Sequence, residues 1–229
     1  PGPAQTHPAA PWPDETRNAP LAAPAASGPM ADKPPALERL IICDVDVAFC
    51  EAARAHFQQS RGVEVVHGRL ESLPCVDCIV WPGNCQAVAA SGLDTALGRW
   101  LGPGPLGRVR SQLLAECGEE GAAVGSAWLV PVEGEPAGGA AETEERPRSV
   151  LYAVVFPRSR DGPRLAMRGA LEAIARHNAE ARQDAALPEG KGKWSAAGPA
   201  RRAVRCAACP GLGTFVGSPD AAAVAAAMA

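Results

Sequence analysis

The sequence predicts a three-layer α/β/α sandwich built on a mixed six-stranded sheet. Two observations carry this. Six short apolar runs of strand character alternate with amphipathic segments of helical period, and the longest run of helical character comes before the last strand. A third bounds the domain: residues 1–36, "PGPAQTHPAAPWPDETRNAPLAAPAASGPMADKPPA", are rich in Pro and Ala without periodicity. They read as a disordered leader ahead of a folded domain over 37–229.

Each element follows from its local pattern. "RLIICDV" reads as the first strand, and "VAFCEAARAHFQQ" as a helix with Phe49, Ala53 and Phe57 on one face. "VEVV" and "DCIVW" are the second and third strands, followed by helices over "LDTALGRWLG" and "GRVRSQLLAEC". "AAVGSAWLVPV", "SVLYAVVF" and "AVRCAAC" complete the strands, with the long helix "RLAMRGALEAIARHNAEAR" before the last. His177 falls towards the end of that segment and reads as solvated. A final helix is expected with Ser218 as N-cap and Pro219 at its first position. Two polar Gly/Pro-rich stretches, Glu133–Arg148 and Gln183–Arg202, read as surface insertions.

Composition removes several classes of function. A net charge of -3 gives no electrostatic reason to expect nucleic acid. No apolar run reaches the length of a membrane span. The chain begins with Pro and stops inside an Ala-rich run, as a fragment would. Among eight cysteines, Cys75 with Cys78 and Cys206 with Cys209 have the C-x-x-C spacing of a zinc knuckle. Cys78 and Cys206 fall in strand-like runs, where residues three apart face opposite ways. No structural metal is therefore expected, and reduced thiols point to an intracellular, cytoplasmic setting.

Functional interest centres on "VDCIVWPGNCQAVAASGLD", Val76 to Asp94, where a buried strand ends in Pro-Gly-Asn, passes into small residues and reaches a lone Asp at a helix start. Taken alone, Asn84 reads as capping its own turn, and Asp94 as an acid favoured by the helix dipole. A second loop, "CPGLGTFVGSP", lies between the last strand and the last helix. Its glycines allow close backbone approach, and its amides could cradle an anion. A receiver-type acidic pocket is excluded because "DCIVWPGN" has no phosphoacceptor Asp at its end. A dinucleotide fingerprint is excluded because Cys43–Ala48 has no glycine.

The two loops together resemble those of the macro domain, a module that binds ADP-ribose and in some branches hydrolyses ADP-ribosyl linkages. "VDCIVWPGN" is similar to the family's strand ending in Asn, and the spacing from Asn84 to Asp94 is similar to that of its first phosphate loop. "VRCAACPGLGT" is similar to its last strand and second phosphate loop. "LIICDVDVAFCEAARAHF" and "VEVVHGRLESLP" resemble a bacterial and phage-associated branch. The resemblance implies catalytic roles for Asn84 and Asp94. It implies ligand contacts from Gly83, Ala89, Ala90, Ser91 and Gly92 in the first loop. In the second loop it implies Gly211, Leu212, Gly213, Thr214, Phe215 and Val216.

The chemistry of these residue types agrees. Asn84 can donate to and accept from a ribose hydroxyl, the small tract can pass a diphosphate, and Asp94 can orient a water. The chain departs from the family where Gly68-Arg69-Leu70 replaces Gly-Asp-Ile, so the adenine acceptor would fall to Asp44 or Asp46. It departs again at Ala89 and Ala90, where glycines are usual, and at Phe215. The implied partner is ADP-ribose or an ADP-ribosylated protein, met by a monomer with no cofactor, membrane or nucleic acid. A degenerate, non-catalytic interaction module is the alternative.

Overall fold

The computed structural model describes residues 37–74, 76–89, 92–132, 146–157, 159–186, 201–214 and 220–229. The leader 1–36, most of both insertions, Cys75, Ser218 and Pro219 lie outside the described residues. All six expected strands form: β1 (Arg39–Asp44), β2 (Val63–His67), β3 (Cys78–Asn84), β4 (Ala127–Pro131), β5 (Ser149–Phe156) and β6 (Cys206–Cys209). The helices are α1 (Val47–Phe57), α2 (Gly92–Leu101), α3 (Gly104–Cys117), α4 (Gly162–Ala186) and α5 (Ala221–Met228). One mixed sheet in the order β2-β1-β6-β3-β5-β4 runs through the molecule. Only β4 is antiparallel to its neighbour, β5; the other four pairings are parallel.

Alternation along the strands builds two cores, one on each face of the sheet. Leu40, Ile42, Cys78, Val80, Leu151 and Ala153 pack on one face with Phe49, Ala53 and Phe57 of α1, Ala170 and Ile174 of α4 and Val224 of α5. Their neighbours Ile41, Cys43, Ile79, Trp81, Val150 and Tyr152 pack on the other, against Leu97 of α2 and Val109 and Leu113 of α3. A period of two on strands buried on both sides gives three layers, the fold class expected.

Several boundaries differ from those expected. The last helix starts later: its N-cap is Asp220, whose carboxylate accepts from the amides of Ala222 and Ala223 at 3.0 and 3.1 Å. Asp caps as well as Ser, so the sequence offered two equivalent starts. Helix α4 continues through Ala186, so Gln183–Ala186, expected to open an insertion, are helical. His177 lies well inside α4 rather than at a solvated end, with its Nε2 3.0 Å from the Arg202 carbonyl oxygen. Its neighbour Asn178 is buried and bonds both polar groups of Val204, at 2.7 and 2.8 Å, tying α4 to the chain entering β6. Among the described residues, no helix is long and apolar enough to cross a membrane.

Candidate functional site

Five strands run parallel, so their carboxyl ends share one edge of the sheet, where ligands of open α/β folds bind. Asp44, His67, Asn84, Phe156 and Cys209 end their strands there. β6 lies between β1 and β3, with Ile79 level with Ala208. β6 stops at Cys209 while β3 continues to Asn84, so the chain from Pro210 leaves beside the outer part of β3. The two loops singled out in the sequence therefore depart from adjacent strands.

The first loop is fastened to its own strand. Asn84 Nδ2 donates to the Val88 carbonyl at 2.6 Å, while Oδ1 accepts from the amides of Gln86 and Val88 at 3.1 and 3.2 Å. Asn84 thus caps its own turn, as Asn commonly does. Ala87, at the crest of that turn, is buried and has a φ of 51°, a left-handed conformation costly for a residue with a Cβ. The Cys85 carbonyl accepts from the Ala122 amide at 2.8 Å, which anchors the loop to the chain between α3 and β4.

Asp94 stands in the first turn of α2 and is buried, at 8% exposure. Its Oδ1 accepts from the Trp81 indole at 2.6 Å. With Ala87, Val88, Ala89 and Arg110 it lines a cleft of about 350 Å³ bounded by α2 and α3. Gly98, Gly102 and Gly107 also line the cleft, and a Cβ at any of them would meet nothing within 4 Å.

At the second loop, the Asp44 carboxylate accepts from the Gly211 amide at 3.0 Å and the Thr214 hydroxyl at 2.9 Å. The Leu212 amide points inward to Met228 Sδ at 3.3 Å, and the Thr214 amide closes on the Gly211 carbonyl at 3.3 Å. Gly213 adopts a φ of 95°, as its position in the turn requires.

These contacts sort the expected site residues. The structure gathers Asp94 and Ala89 around the cleft, and Asp44, Gly211 and Thr214 around one carboxylate. Asp46 instead caps α1, accepting from the amides of Ala48 and Phe49 at 2.8 and 3.2 Å. Two of the expected contact residues sit in the core. Leu212 is a core residue with 0% exposure, drawn inward because its side chain completes the layer beneath α5. Gly83 is buried and makes room for Tyr152, whose ring a Cβ would overlap. Gly92 is exposed at the start of α2, while Ala90, Ser91, Phe215 and Val216 lie outside the described residues.

Two residues that shape the site escaped the sequence reading, Trp81 and Tyr152. They pair across β3 and β5; Trp81 holds Asp94, and the Tyr152 hydroxyl donates to the Asn84 carbonyl at 3.0 Å. Burial pushes the Tyr152 hydroxyl far above the usual tyrosine range, so it serves as a fixed donor. A signal existed: a Trp buried mid-strand needs an acceptor for its indole N–H, and Asp94 was the nearby acid.

No family model matches the chain, and no curated protein does. Solved structures similar to it are macrodomains. One is the macrodomain of DarG from Mycobacterium tuberculosis, at 15% identity over 69% of this chain and 80% of that one, with a TM-score of 0.45. A Trypanosoma brucei macrodomain in complex with ADP is 14% identical over 85% and 71%, with a TM-score of 0.36. An Oceanobacillus iheyensis macrodomain mutant is 16% identical, with a TM-score of 0.37; the match covers 47% of this chain and about half, 54%, of that one.

Proposed function

We propose that residues 37–229 form a macro-type domain that binds ADP-ribose at the carboxyl edge of the sheet, between the loops that follow β3 and β6. The observation that carries this reading is the adjacency of those strands, which brings together two loops whose sequences each resemble a phosphate loop. In this reading Asn84 meets the distal ribose. The diphosphate runs along backbone amides of the first loop to Gly92 and of the second from Gly213 onward, with Asp94 close to the anomeric carbon. The partner is free ADP-ribose or an ADP-ribosylated protein.

Binding is better supported than turnover. Asn84 has both ends of its amide engaged in its own loop, and Asp94 holds an indole. A reader requires Asn84 to exchange its loop contacts for a ribose hydroxyl, and hydrolysis requires in addition that Asp94, whose Oδ1 already accepts from Trp81, orient a water. The chain is thus a reader first. Thermal unfolding with and without ADP-ribose tests binding, because a ligand that binds only the folded state raises the melting temperature by mass action. Incubation with a mono-ADP-ribosylated protein tests turnover. Release of ADP-ribose that Asp94→Ala abolishes would replace the reader with a hydrolase.

The seven cysteines among the described residues that stand as free thiols support a reducing, intracellular setting. All eight in the chain should react as free thiols when the protein is unfolded without reductant, and a lower count would contradict that setting.

A further inference from the structure

The resemblance makes Asp44 a substitute acceptor for the adenine amino group, but its contacts assign it other work. Oδ1 accepts from the Asp46 amide at 3.0 Å, and Oδ2 accepts from the Gly211 amide and the Thr214 hydroxyl. The same hydroxyl lies 2.9 Å from the Gly211 carbonyl oxygen, so Asp44, Gly211 and Thr214 form one closed cluster across 170 positions of sequence. Glycine is required at its centre, because a Cβ on Gly211 would overlap the Thr214 side chain and lie 2.9 Å from Asp44 Oδ2. The main chain of Asp44 is held as firmly: its carbonyl accepts from the Gly68 amide at 2.9 Å and faces Cys50 Sγ at 3.3 Å. A carboxylate fixed to the strand and accepting from a loop amide and hydroxyl is a clasp, with charge-assisted bonds stronger than neutral ones.

We propose that Asp44 is a positioning residue for the second loop: it sets the turn Gly211–Thr214 and acts on ligand binding through that turn, without touching the ligand. The proposal rests on the ADP-ribose reading for its functional half, and on the clasp alone for its structural half. Anchoring Gly211 and Thr214 from beneath fixes the direction in which the chain leaves Thr214. Loss of the clasp frees the turn and weakens any ligand that depends on this loop.

The test compares wild type, Asp44→Asn, Thr214→Val and the double variant by calorimetry with ADP-ribose and with its hypoxanthine analogue, which lacks the adenine amino group. Each single substitution should weaken both ligands roughly tenfold, about 1.4 kcal/mol, and the double variant should be no weaker than Asp44→Asn alone. Thr214→Val keeps the test open if Asp44→Asn does not fold. Overturning results are unchanged affinity in the variants, additive losses, or a loss in Asp44→Asn seen with ADP-ribose and absent with the analogue. The last would make Asp44 the base acceptor. Should wild type bind neither ligand, the functional reading fails. The clasp is then judged by hydrogen exchange: faster exchange at Gly211–Thr214 in Asp44→Asn upholds it, and unchanged exchange refutes it.

Discussion

Gly83, Trp81 and Asp94 show how far single atoms determine the first loop. A methyl group at Gly83 would occupy the space of the Tyr152 ring, and that ring is packed on the face shared with Trp81 and Leu97. Gly83→Ala should therefore destabilise the domain by about 3 kcal/mol or prevent folding, the upper range for overpacking. Urea unfolding checks this, and a variant as stable as wild type would mean that β5 yields more readily than its burial suggests. Trp81→Phe keeps the ring volume largely in place but leaves a buried carboxylate without its indole donor, so about 2 kcal/mol of stability should go. At this scale the sequence was legible in part. Asn84 and Asp94 stood out by type and spacing, and each could be read as either structural or functional. What decides their present partners is a turn with Ala87 at positive φ and the register that sets Trp81 beside Tyr152; a mid-strand Trp hints at an acceptor, but neither that φ nor that register leaves a local mark in the sequence.

Among the elements, strands and helices were the most legible part, because burial on both faces of β1, β3 and β5 writes continuous apolar runs that few other folds require. The ends were less so. Asp220 and Ser218 are equally good caps by type, and only the geometry shows Asp220 accepting from two amides. Asp220→Ala should cost about 1 kcal/mol, with Ser218→Ala as the near-neutral control. The reverse order in chemical denaturation would move the start of α5 back to the earlier position. Strand order was not legible either. It follows from pairing between residues as distant as Leu40 and Ala207, and with it came the adjacency of the two loops.

On the whole-molecule scale, the buried thiols fix how the fold responds to alkali. Burial pushes Cys43 up to about 11 and Cys78 up to about 12, from an ordinary value of 9.0. The folded protein holds these protons more tightly than the unfolded chain. Their stabilising contribution is complete below about pH 9, and it declines as pH rises towards the folded values. Urea midpoints should fall between neutral pH and about pH 10, with a shallower fall in Cys78→Ala. A midpoint that rises with pH would contradict the burial of these groups. The central claim, that the shared carboxyl edge of β3 and β6 is an ADP-ribose site, is tested most directly by calorimetric titration of wild type and Asn84→Ala with ADP-ribose. Wild type should bind, and Asn84→Ala, which removes a donor and an acceptor together, should bind about 1–3 kcal/mol more weakly while remaining folded. No heat of binding from folded wild type at millimolar ligand would contradict the claim. Equal affinity in the two proteins would move the site away from Asn84.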